Sequence, residues 1–231
     1  MRARSIVARF AALLLLTWFA PALFAADAGT IQAFSGNVTI TSADRVSRKA
    51  VAKEKIQSGD TVTTEVKSEI LIKMADDSSV ALRPNTQFQF TDYKFEKKPT
   101  DSSFATLLRG TARMVTGLIA RRSPSNIRVS TVTATIGIRG TDFEVAVITE
   151  DRADARAGVY DYVHDGVTNI RLVQTGQNLD VKKEQTAFAP DKPKPGEEAL
   201  YILKERPIFL QQGGGLDALI QSITIQIPMF R

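Results

Sequence analysis

A chain of 231 residues that is 43% hydrophobic and 24% charged is long enough to bury a core and too apolar for wholesale disorder. Its formal charge of +5, with aromatics at only 7%, is too weak a basic balance for a nucleic-acid surface. The absence of cysteine excludes thiol catalysis, thiolate metal sites, a lipid-anchored N-terminus and any disulfide, so stability rests on the core alone.

The chain opens on Arg2, Arg4 and Arg9, followed by an uncharged apolar run from Phe10 to Phe24 and the small residues Ala25, Ala26 and Ala28. This order predicts a secretory signal peptide over residues 1–28, cleaved after Ala25 or after Ala28. An uncleaved anchor is the poorer reading, because the run is short for a span and contains Pro21. The expected location is periplasmic or otherwise extracytoplasmic, with membrane contact only during export. Without residues 1–28 the chain carries 27 basic and 24 acidic residues, which leaves a mildly basic surface.

From residue 29 the pattern is strand-like. Ile70, Ile72 and Met74 alternate with Leu71, Lys73 and Ala75, and the period of two continues through Val80, Leu82, Phe88 and Phe90. It returns at Ile127, Val129 and Thr131, and again at Phe143, Val145 and Val147. Short helices are expected only around Phe104–Leu108 and Leu216–Ile220. A glycine turn leading into a strand recurs at Gly36, Gly110 and Gly166, with related turns at Gly59 and Gly176. The predicted fold is therefore all-β: a β-roll or β-helix-like stack of short antiparallel strands with glycine turns, with a β-sandwich as the alternative.

The β-domain is expected to span residues 29–190. Asp191–Glu198 is rich in proline and charge, which marks residues 191–199 as an exposed linker. Residues 200–231 form a C-terminal tail with a short helix, a triple-glycine joint at Gly213–Gly215 and an edge strand at Ile223, Ile225 and Ile227. Such a strand must pair with a sheet edge, either of its own domain or of a partner.

The most distinctive stretch is Ser130–Val145, STVTATIGIRGTDFEV, two strand patterns hinged on Gly137 and Gly140 around Arg139. A guanidinium in such a turn suits a carboxylate or phosphate; the plainer reading pairs it with Asp142 or Glu144, or with strand-end carbonyls. His164, the one histidine, reads as a solvent-facing turn residue beside Asp165 and Gly166. Asp76 and Asp77 lack the spacing of a calcium loop and read as a charged hairpin, as do Glu150, Asp151 and Asp154. The basic pairs Arg121 and Arg122, Lys97 and Lys98, and Arg45, Arg48 and Lys49 read as solvated loop residues, with an anionic polymer or lipid headgroup as the collective alternative. No nucleophile, base and orienter assemble from these motifs, so no enzymatic activity, cofactor or metal is expected.

The order of these pieces resembles the FecR domain family. GTIQAFSGNVTI is similar to its opening hairpin, and IQSGDTVTTEVKSEILIKMADDSSVALRPNT to its middle block, through Gly59, Asp60, Thr63, Ser68, Ser78, Leu82, Pro84 and Thr86. LLRGTARM supplies a further turn, and TATIGIRGTDFEV resembles the family's most distinctive run. The resemblance implies a structural or binding motif at Gly59, Asp60, Gly137, Arg139, Gly140, Thr141 and Phe143. One turn departs from the pattern, since Asp76, Asp77 and Ser78 lack the expected glycine. With nine residues ahead of the apolar run there is no room for a cytoplasmic sigma-binding domain, so a stand-alone exported FecR-domain protein is expected. Its implied role is a non-catalytic binding or signalling module of the bacterial envelope whose partner is an envelope protein or a glycan. A structural, polysaccharide- or peptidoglycan-associated protein is the alternative.

Overall fold

The structure is a computed structural model that describes residues 27–211 and residue 220. In chain order its strands begin β1 (Asp27–Ser35), β2 (Val38–Thr41), β3 (Ser47–Lys49), β4 (Lys55–Gln57) and β5 (Thr61–Thr64). They continue as β6 (Glu69–Met74), β7 (Ser79–Leu82), β8 (Gln87–Lys94) and β9 (Ser102–Val115). Then come β10 (Ile127–Ser130), β11 (Ala134–Ile138), β12 (Asp142–Ile148) and β13 (Gly158–Asp165). The last are β14 (Val167–Leu172), β15 (Asn178–Lys182), β16 (Thr186–Pro190) and β17 (Tyr201–Ile202). Among the described residues helix is found at α1 (Leu118–Arg122), a 3-10 turn at Pro124–Asn126, α2 (Ile208–Gln211) and Ile220.

All seventeen strands of the described residues join one open hydrogen-bonded network, which folds at β9 into two layers. The first layer runs β4–β1–β6–β7–β9–β12–β13–β16–β17. The second runs β3–β2–β5–β8–β9–β10–β11–β14–β15. Every pairing is antiparallel except β9 with β10. The chain therefore keeps crossing between layers, and Gly36, Gly59, Gly140 and Gly166 sit at such crossings.

The two layers share one core, because strand alternation turns the same set of side chains inward from each. Ile31, Ile72, Leu82, Phe143 and Val145 come from the first layer, and Ile40, Val62, Phe88, Leu107 and Ile170 from the second. Each such aliphatic or aromatic side chain, fully buried, contributes roughly 1.5–3 kcal/mol of transfer free energy.

β9 is the hinge of this arrangement. Its first half pairs with β8 and β10 in the second layer, and its second half with β7 and β12 in the first. The change of layer falls at Gly110, whose φ is +87°. A threonine relay holds the corner. The Thr111 N–H donates to Thr86 Oγ1 at 3.0 Å, the Thr86 N–H to Thr64 Oγ1 at 2.9 Å, and the Thr64 hydroxyl to the Arg83 carbonyl at 2.7 Å.

The helix expected at Phe104–Leu108 is instead part of β9. Ala105 and Leu107 are buried while Thr106 and Leu108 face outward, and this period of two, fixed by strands on both sides, overrides the i,i+4 spacing of Phe104 and Leu108. Residues 191–199 are largely exposed, and Glu197 pins them through a bidentate pair with Arg156 at 2.6 and 3.1 Å. Residues 1–26, Leu216–Leu219 and the Ile223–Ile227 strand pattern lie outside the described residues.

Candidate functional site

The residues singled out by sequence occupy two separate corners. Gly59 and Asp60 turn β4 into β5. There the Asp60 carboxylate accepts from the Gln57 N–H and from Arg48, both at 3.1 Å, while Arg48 also binds Glu54 at 2.6 Å. Arg48 is thus a corner fastener, not a solvated loop residue. Gly137 lies within β11 opposite Arg128 and Asn169. Arg139 and Gly140 are exposed at the turn into β12, Thr141 is buried against Thr116 Oγ1 at 2.8 Å, and Phe143 is a fully buried core residue.

Arg139 pairs with neither acid proposed for it. Asp142 is taken by Arg113 through two bonds of 3.0 and 2.8 Å, and Glu144 by Arg83 at 2.7 Å. The reason is strand geometry. Asp142 and Glu144 alternate with Phe143 and Val145, so they point from the outer face of the first layer, away from the turn that carries Arg139.

That outer face holds the densest polar cluster. Cross-strand register aligns Ala81, Arg113, Glu144, Tyr162 and Thr186. Glu144 is wholly buried; beyond Arg83 it faces Arg206 at 3.5 Å and His164 at 3.6 Å. The Arg206 guanidinium stacks 3.9 Å above the Tyr162 ring and donates to the Leu210 carbonyl. His164 is therefore a half-buried residue near the end of β13, packed edge-on against Tyr162, and not a solvent-facing turn residue.

The cluster is covered by the chain's own C-terminal segment. β17 pairs with β16, and Leu210, with Leu203 and Phe209, packs on Ile148, Tyr160, Tyr162 and Phe188. Ile220 is buried against Leu71 and Ala81. Truncation after Pro190 uncovers this apolar face and strips Arg206 from Glu144. The expected result is aggregation or a melting point lower by more than about 10 °C, since several half-buried side chains amount to over ~4 kcal/mol. A truncated body that melts within a few degrees of the parent would show the tail to be separable.

Asp76 corrects another expectation. It is 1% exposed and accepts from the Ser78 hydroxyl at 2.6 Å, the Tyr93 hydroxyl at 3.1 Å and the Ile119 N–H at 3.3 Å. It is a buried knot joining the β6–β7 turn to β8 and α1, while Asp77 takes the positive φ of 68° in place of the missing glycine.

Sequence reasoning missed one further polar group. Asp161 lies on β13 between Val159 and Val163, so alternation turns it into the core, where its carboxylate accepts, among the described residues, from the Thr168 hydroxyl on β14 at 2.6 Å. Burial pushes its carboxyl up to about 7 from 3.8. Period two was the signal that could have placed it there.

These arrangements fasten strands and turns to one another. Asp142, Glu144 and Glu197 are spent on guanidinium groups, and Asp76 on hydroxyl and backbone N–H donors. Among the described residues no three His, Asp or Glu side chains converge as a metal-ligand set.

The FecR protein family model matches residues 60–161, from the β4–β5 corner to the centre of β13. This segment belongs to the FecR family. The FecR segment thus contains the β9 hinge, the Asp76 knot and the Arg113–Asp142 and Arg83–Glu144 pairs. Two crystal structures, each of a candidate anti-sigma factor from Parabacteroides distasonis ATCC 8503, are similar in fold. One has a TM-score of 0.50 at 13% identity over 65% of this chain, the other 0.50 at 12% identity over 70%. The chain spans 62% of the first of those proteins and 71% of the second. No curated protein matches the chain. Among the described residues no helix is long and apolar enough to cross a membrane.

Proposed function

We propose that this protein is a non-catalytic, extracytoplasmic FecR-domain module that binds an envelope protein in a bacterial signalling pathway. The observation that carries the reading is the FecR match over residues 60–161, within a fold shared with two candidate anti-sigma factors. The chemistry agrees with it: the buried acids around the FecR core hold strands and the C-terminal segment together through Arg113–Asp142, Arg83–Glu144 and Arg206–Glu144.

Export is part of the proposal, motivated by the basic, apolar and small-residue order of residues 2–28. The fold bears on where processing falls. β1 begins at Asp27, which pairs with Lys55, and Ala28 is fully buried and accepts from the Ala75 N–H at 3.0 Å. Cleavage after Ala25 leaves that strand whole, whereas cleavage after Ala28 removes its start. N-terminal sequencing of the envelope fraction is expected to read Ala26 first; an intact Met1 in carbonate-washed membranes would refute export.

Partner binding is tested by affinity capture from envelope extract, repeated with the tag moved to the captured protein. One protein recovered at equal stoichiometry in both directions is the expected result. Failure of the reciprocal capture would refute a dedicated protein partner.

A further inference from the structure

The groove beneath residues 201–211, on the outer face of β13 and β16, is filled by the chain's own C-terminal segment, and filled imperfectly. β16 pairs with β13 along all of its length, from Thr186 to Pro190. On its other flank β17 matches only Ala187 and Phe188, with the Leu203 N–H donating to the Thr186 carbonyl at 2.8 Å. Among the described residues the register on that flank ends at Phe188, short of Ala189 and Pro190.

The floor of the groove has the composition that carries protein interfaces, aromatic rings beside a buried charge. Tyr160 stacks on Phe188 at 4.3 Å. The segment sets Phe209 edge-on to Tyr160 at 5.1 Å and Tyr201 edge-on to Phe188 at 5.8 Å. Beside these rings Glu144 is wholly buried, and its Oε2 forms no hydrogen bond among the described residues. Arg206 stands 3.5 Å from that oxygen and His164 3.6 Å. Arg206 spends its reach on the Leu210 carbonyl and the Tyr162 ring, and its buried Nε has no partner among the described residues. A buried carboxylate oxygen without a hydrogen bond is costly, and a guanidinium meeting it at about 2.8 Å would add a charge-assisted bond.

We infer that this groove is a strand-addition site for an extended, arginine-bearing segment of a partner protein, and that residues 201–211 occupy it as an internal competitor. The inference rests on the protein-partner reading above, which it extends to a surface. The chain's own segment defines the occupant's chemistry: apolar residues along β16, then an arginine placed as Arg206 is after Ile202, aimed at Glu144. A longer strand would continue along β16 past Phe188, and a better placed arginine would bond Glu144 Oε2; β17 and Arg206 do neither. The FecR match ends at Asp161 within β13, so β16 and the competing segment lie outside it. An internal competitor lowers a partner's apparent affinity by the fraction of molecules whose groove is open, so loosening it raises affinity.

A labelled peptide of residues 199–211, titrated against the chain without residues 1–25, tests the site. Arg206→Ala in the chain loosens the competitor. The peptide, which keeps its arginine, is expected to bind that variant about tenfold or more tighter than the parent. The same peptide with Arg206→Ala is expected to bind the variant about tenfold or more weakly than the unaltered peptide. A melting curve shows whether the variant is folded; if it is not, Ile202→Ala is read in its place. A folded variant that takes the peptide no better than the parent, or takes both peptides alike, would overturn the assignment. So would a parent chain that doubles its mass in solution and loses the doubling in Arg206→Ala, since the occupant would then be a second copy. Reciprocal capture from envelope extract, repeated with the variant, separates the two readings. Peptide binding with no protein recovered by either chain would remove the partner; a protein recovered equally by parent and variant would remove the groove as its site.

Discussion

Gly110→Ala is expected to lower the melting temperature by 10 °C or more, or to prevent folding. Two costs add. A φ of +87° strains any side chain, by about 1–3 kcal/mol. The new Cβ would also stand 2.5 Å from Thr86 Cα and 2.8 Å from the Asn85 carbonyl oxygen, both backbone atoms that cannot step aside. Relieving that contact displaces Thr86, on which the threonine relay of the corner depends. Together these exceed ~4 kcal/mol, and a kcal/mol moves a domain of this size by roughly 2–4 °C. Gly140→Ala is the control. Its φ is +63°, but a Cβ there meets nothing within 4 Å, so only the backbone strain of about 1–2 kcal/mol remains. Paired thermal melts decide the matter; equal losses at the two positions would remove β9 from its place as the hinge.

Asp161→Asn is expected to change the pH dependence of stability more than any surface substitution. The Asp161 carboxyl titrates near 7 when folded and near 3.8 when unfolded, so between these values the folded protein holds the extra proton. Its contribution is fully present below pH 3.8 and is lost as pH rises through 7, on the order of 4 kcal/mol across the window. Glu197 acts in the opposite sense. The Arg156 guanidinium, with the Lys194 N–H and the Tyr201 hydroxyl, holds it down to about 2 from 4.5, so its contribution is lost as pH falls from 4.5 towards 2. From these two groups the parent should therefore be most stable near pH 4 and weaken towards pH 8. Asparagine keeps an acceptor for the Thr168 hydroxyl without a titrating proton. Denaturant unfolding at pH 5 and pH 8 is expected to show the variant gaining on the parent at the higher pH. A variant-minus-parent difference that does not move between the two would place Asp161 in contact with water.

Much of the fold was legible because it is local. Alternation in segments such as Glu69–Met74 and Asp142–Ile148 announces strands, and turn glycines such as Gly36 and Gly166 sit where the chain changes layer. The FecR resemblance was carried by the order of these same pieces. What sequence could not give was pairing across long separations. Arg83, Glu144 and Arg206 meet on one face although some sixty residues separate each from the next, and nothing near Glu144 marks it as buried. Arg139 looked like the natural partner of Asp142 and Glu144 because it is close in sequence; alternation sends those acids to the other side of the strand. His164 was misplaced for the same reason, since DG after it reads as a turn while the histidine itself still belongs to β13. The sequence leaves the C-terminal segment open between an interaction tail and an element closing its own domain's edge; its described part pairs β17 with β16 and caps the first layer, while the Ile223–Ile227 pattern lies outside the described residues.

The claim that this chain is a signalling module is tested most directly by transcript profiling of cells lacking it, complemented with the parent or with Gly110→Ala. The account predicts a small, discrete set of genes that changes on deletion, returns with the parent and fails to return with the misfolded variant. An unchanged profile in cells whose envelope is demonstrably without the protein would contradict it.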